Sequence, residues 1–145
     1  MQMVEVAQVV DVNLAAVGVA AVAKWALGAV WYSPVLFGKQ WQGLITASHK
    51  LTTKDMKQGA ATAFVGSFFS YLVMAYVLAY FMGLLNVTGW VEGVVVGGWV
   101  ALGFMVTLSL SNALYEGTRK KLWGINISYT VLGMLLMGAI LGFWQ

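Results

Sequence analysis

The chain has 145 residues, of which 61% are hydrophobic and 9% charged, with a formal net charge of +3 and no cysteine. So little charge excludes a water-exposed globular domain, which would carry about a quarter, and the missing cysteine excludes thiolate chemistry, iron–sulfur ligation and disulfides. The positive balance does not point to nucleic acid, because the basic residues flank hydrophobic stretches, where anionic lipid headgroups attract them.

A single membrane domain over residues 1–145 is expected. The first 23 residues hold Glu5 and Asp11 but no basic run, which argues against a secretory signal. A spanning helix needs about 20 mostly apolar residues, and four stretches supply them: 12–32, 60–85, 93–115 and 122–145. The expected fold class is therefore all-α, a transmembrane four-helix bundle. Pro34, the only proline, turns Ser33 away from helical geometry and ends the first span.

In the loop that follows, Phe37, Trp41, Leu44 and Ile45 recur at helical spacing. They predict a short helix over 36–47 lying in the membrane interface, with an irregular loop anchored by Trp41 as the competing reading. Thr52-Thr53-Lys54-Asp55 reads as a capping box at the start of the second span. Asn86-Val87-Thr88-Gly89 predicts a tight turn before the third.

Charge sets the expected orientation. Lys39, Lys50, Lys54 and Lys57 follow the first span, and Arg119, Lys120 and Lys121 follow the third. The other connections carry Glu5, Asp11 and Glu92 but no Lys or Arg. The positive-inside rule places the basic loops in the cytoplasm and both termini outside. The expected location is the cytoplasmic (inner) membrane of a bacterium, with membrane lipids as partners and no nucleic acid.

Small residues recur every fourth position: Ala16, Ala20 and Gly28; Thr62, Gly66 and Ser70; Gly93, Gly97 and Ala101; Gly138 and Gly142. Close backbone approach drives helix association in lipid, so these rows are expected packing faces, with one face left for a neighbouring subunit. Trp31, Tyr32, Trp41, Trp90, Tyr115, Trp123 and Trp144 fit interfacial belts. Trp25 and Trp99 lie deeper, where lipid contact or packing explains them. Pigment contact there stays open, and no cofactor is expected.

Lys24 is the one charge inside a span. At ~1.5 Å per residue it lies ~18 Å from the outer end, too deep for its side chain to reach the inner interface. A charge there costs about 2.5 kcal/mol or more. At its level the second span offers Ser67, Ser70 and Tyr71, the fourth Asn126, Tyr129 and Thr130, and the third little beyond Thr107. Contact with Ser67, Ser70 and Thr130 inside the bundle is the plain expectation. Counter-charge from another polypeptide, or an anionic solute or proton relay, are the alternatives.

His49 stands alone in the basic loop without a ligand partner, so no metal site is expected. No serine has a histidine and acid at its depth, which disfavours triad hydrolysis. The densest polar group is Ser109, Ser111, Asn112, Tyr115 and Glu116, opposite Asn126. Polar contact between helices is its ordinary reading, and a cytoplasm-facing vestibule the sharper one.

Leu27-Gly28-Ala29-Val30-Trp31-Tyr32-Ser33-Pro34, Leu36-Phe37-Gly38-Lys39, Met74 to Tyr80, Asn112 with Leu114-Tyr115-Glu116-Gly117, and Asn126 with Tyr129 carry a likeness over nearly the whole chain. It resembles a small membrane-protein family, mainly bacterial and fungal, called domain of unknown function 1761. The resemblance implies four spans and a shared polar set of Tyr32, Ser33, Asn112, Glu116 and Asn126, and it implies no activity. The leading expectation is a non-enzymatic membrane protein acting through helix contacts, as a homo-oligomer or as an accessory subunit of a larger complex. The alternative is a small-solute or ion transporter using Lys24 and the Asn112 cluster. A lipid-directed enzyme using Tyr115, Glu116 and His49 ranks last.

Overall fold

The structure, a computed structural model, describes residues 10–144. Glu5, counted above in the acidic outer charge, and Gln145, the expected end of the fourth span, lie outside the described residues. Five helices form: α1 (Leu14–Trp31), α2 (Gly38–His49), α3 (Thr53–Leu84), α4 (Trp90–Glu116) and α5 (Lys120–Phe143). Among the described residues there is no strand. All but α2 are long and apolar enough to cross a membrane.

Local chemistry sets the helix ends. The Asn13 side chain accepts from the amides of Ala15 and Ala16 at the start of α1, satisfying donors that have no partner within the helix. At its other end Ser33 lies two residues beyond Trp31, just before Pro34, and its hydroxyl donates to the Val30 carbonyl. The capping box at Thr52 forms, with Asp55 reaching back to the Thr52 amide. The expected interfacial helix begins two residues later than its pattern suggests. Gly38 starts it because a side chain there would collide with the Tyr32 and Ser33 carbonyls. Asn86, at φ 52°, makes the turn between α3 and α4, a left-handed conformation that asparagine tolerates.

α5 is the hub of the bundle. It packs most extensively on α4, substantially on α1 and less on α3, while α1 also packs on α3. The α4–α5 seam is closed by glycine: a Cβ on Gly93 would strike the Gly138 carbonyl, one on Gly97 the Met134 carbonyl, and one on Gly142 the Gly89 carbonyl. These are backbone-to-backbone contacts, which only glycine permits. Gly66, expected in a packing row, instead has nothing near it, and Thr62 and Ser70 are exposed with it.

Burial is uneven along the helices. α1 is buried at Ala16, Val17, Ala20, Ala21 and Lys24 and nowhere after. α3 is buried only at Ala75, Leu78, Ala79 and Met82. α4 is buried at Gly93, Gly97 and Ala101, and its last ten residues contribute nothing. All of these lie toward the end that carries the α3–α4 turn. At the basic-loop end neither α3 nor α4 has a buried residue, while α5 keeps Leu122, Ile125 and Tyr129 buried. The unburied half of α4 begins at a π-helical turn, Ala101–Val106, a local widening common at functional sites.

Candidate functional site

The less buried half contains two cavities. One, of about 410 Å³, lies between α1, α3 and α5 under α2. Trp25, Tyr32, Trp41, Phe64, Tyr71 and Tyr129 form its aromatic walls, and Gly28, Ala29, Ala60, Ala63 and Ser67 its small-residue surfaces. Gly28 is small because the Tyr129 hydroxyl lies 2.8 Å from where its Cβ would stand. Trp25 tilts against Phe64 at 4.2 Å between ring centroids and donates its indole N–H to the Phe64 carbonyl at 3.0 Å. Tyr32 meets Trp41 and Tyr129 edge-on at 5.2 and 5.3 Å, the T-shaped geometry that ring quadrupoles favour.

The other cavity, of about 430 Å³, lies between α3, α4 and α5. Ser109, Asn112, Glu116, Thr118, Asn126 and Thr130 line it, with Met74, Met105, Leu108 and Trp123 as its apolar parts. Trp123 donates its indole N–H to the Ser109 hydroxyl at 2.9 Å, tying α4 to α5. Asn126 links the two cavities: it lines this one and accepts from the Tyr32 hydroxyl of the other at 2.9 Å.

Lys24 sits where the packed half ends. Its residue is 2% exposed, and among the described residues its Nζ has no hydrogen-bond partner. It lies instead 4.4 Å from the centroid of the Tyr129 ring and 5.0 Å from that of Tyr71, a desolvated cation–π contact. Tyr129 also lies 3.1 Å from the Lys24 carbonyl and 3.0 Å from the Tyr71 hydroxyl. The carbonyl has no proton, so Tyr129 donates to it and Tyr71 donates to Tyr129.

The hydroxyls expected beside Lys24 are committed elsewhere. Ser67 donates to the Phe64 carbonyl, Ser70 to that of Gly66 and Thr130 to that of Asn126, at 2.9, 3.1 and 3.0 Å. Each satisfies itself on its own helix, the usual outcome three or four residues along a turn. The tyrosines at the same depth are the residues that meet the lysine, through ring faces rather than hydroxyls. That role was not read from the sequence, although Tyr71 and Tyr129 share its depth.

The polar set near the basic loops is partly assembled. Tyr32 and Asn126 bond, and Asn112, Glu116 and Asn126 share a cavity. Ser33 caps α1 outside both cavities. Tyr115 points away and is 92% exposed. Of the packing residues, Ala20, Gly93, Gly97, Gly138 and Gly142 lie in helix seams, Gly28 lies against Tyr129, and Gly66 faces open space.

No curated protein and no solved structure matches this chain. A family model described as protein of unknown function, DUF1761, matches residues 15–142, and the chain belongs to that family.

Proposed function

We propose that the protein is a non-enzymatic membrane protein that receives a small ligand in a vestibule reached from its basic-loop end, with the basic loops in the cytoplasm. The observation that carries this is the burial gradient. Buried residues crowd toward the α3–α4 turn, and the aromatic cavity and the Asn112 cavity both lie in the less buried half, whereas the recess at the packed end, between Asn13, Asn86 and Trp144, sits at the chain's outer edge. A bundle built only to anchor would gain by closing that half, since each unfilled gap forfeits contact between side chains. The polar lining at Ser109, Asn112 and Asn126 is costly against lipid and fits a hydrated recess. Passage of the ligand across the membrane, with Lys24 at the inner limit of the recess, is the transporter form of this reading.

The absence of native cysteine makes the test direct. Single substitutions Ser109→Cys and Asn112→Cys are expected to react with a membrane-impermeant maleimide from the basic-loop side only. Leu78→Cys, in the packed half, is expected to stay unreactive. Protection of Ser109→Cys and Asn112→Cys from both sides would overturn the vestibule.

A second reading rests on α3. Thr62, Gly66 and Ser70 present a small-residue row away from the bundle, a face on which a second copy or another subunit could approach closely. Gly66→Leu should then lower the oligomer fraction in mild detergent. A monomeric wild-type chain would dismiss association.

A further inference from the structure

The aromatic cavity has an unusual donor inventory. The Tyr32 proton goes to Asn126, the Tyr71 proton to Tyr129, and the Tyr129 proton to the Lys24 carbonyl. Ser67 and the Trp25 indole both donate to the Phe64 carbonyl. Among the described residues, the Trp41 indole is the one lining side chain with an N–H still uncommitted. The cavity therefore offers a visitor hydroxyl lone pairs and an aromatic surface built from six rings, two of which, Tyr71 and Tyr129, also carry Lys24 Nζ at 5.0 and 4.4 Å, but almost nothing to donate. No lining side chain is charged; Lys24 touches the Tyr71 and Tyr129 rings from inside the bundle and does not line the space.

Such a surface discriminates by charge. An anion or a carbonyl ligand needs donors, which are spent. A cation gains from ring quadrupoles, most strongly from tryptophan, and a cage of several rings is the arrangement that recognises alkylated ammonium groups. The volume is within the range of small-molecule sites. We infer that the cavity between α1, α3 and α5 is a binding site for an organic cation, an alkylated ammonium carried either by a free amphipathic solute or by a lipid headgroup. This rests on the vestibule reading only in taking the cavity as reachable.

The probe is benzyltrimethylammonium, titrated calorimetrically into the full-length protein in maltoside detergent. Its uncharged carbon isostere, neopentylbenzene, and the anion benzenesulfonate are the comparisons. The cation is expected to bind at least tenfold tighter than either, and Trp41→Ala, which removes one wall on the peripheral helix, to weaken it about tenfold. Equal binding of the isostere, or tighter binding of benzenesulfonate, would overturn the inference. Displacement of the bound cation by dodecylphosphocholine assigns the site to a lipid headgroup, and retention assigns it to a free solute. Labelling of Ser67→Cys reports access by itself: a labelled protein that ignores the cation refutes the inference alone, and an unlabelled one removes this cavity from the vestibule and overturns the inference, while the vestibule itself is judged on Ser109→Cys and Asn112→Cys.

Discussion

The Nζ of Lys24 occupies the space that a side chain on Gly133 would need, since a Cβ there would meet Nζ and approach Lys24 Cγ to 3.1 Å. One helix thus surrenders a side chain so that another can enclose an amine. Gly133→Ala is expected to cost about 2 kcal/mol through overpacking. In a Lys24→Ala background the same change should cost less than about 0.5 kcal/mol, because the two residues couple only through that space. Unfolding in mixed micelles, followed by circular dichroism, measures the cycle.

The glycine seam between α4 and α5 predicts a contrast within one residue type. Gly138→Ala drives a methyl into the Gly93 carbonyl, and backbone has no rotamer with which to yield. A loss of about 3 kcal/mol is expected. Gly66→Ala meets nothing within 4 Å and should stay within about 0.5 kcal/mol of wild type. The same unfolding assay separates them.

Among the described residues, Tyr32 and Asn126 form the one side-chain hydrogen bond that joins the two cavities. Tyr32→Phe keeps the ring against Trp41 and Tyr129 and leaves the Asn126 oxygen without its donor. A cost of about 1 kcal/mol is expected. The double variant Tyr32→Phe with Asn126→Leu should cost little more than Asn126→Leu alone, which a double-mutant cycle would read.

The proposed orientation has its own test. An alkaline phosphatase fusion after Gln145 is expected to be active, because that enzyme folds only outside the cytoplasm, and one inserted at Gly117 to be silent. The opposite pattern would reverse the sidedness and place the vestibule mouth outside.

Much of this architecture could be read before any coordinates. The four apolar stretches, the capping box at Thr52 and the break at Pro34 depend on local chemistry, and each helix boundary falls within a few residues of its expectation except the start of α3. That helix begins at Thr53 because its cap and the polar turn up to Gly59 precede the apolar run. What stayed hidden depends on which face of a helix meets which neighbour. In lipid both faces are apolar, so periodicity does not distinguish seam from surface. Gly66 and Gly138 look alike in sequence, and only packing tells the open position from the closed one. The π-helical turn at Ala101–Val106 likewise has no proline or polar residue to announce it. The hydroxyls beside Lys24 were misassigned for a related reason: depth can be counted along a chain, but rotation about the helix axis cannot.

The enclosure of Lys24 also orders the life of the molecule. The lysine leaves the ribosome with the first span, whereas Tyr129 follows 105 residues later. Tyr71 emerges well before Tyr129, 58 residues ahead of it, so for much of that interval the amine of the first helix has only half of its aromatic shelter. Stable residence of α1 in the bilayer is therefore a late event, completed only when the last helix arrives. A chain terminated before α5 leaves its first span the easiest to lose.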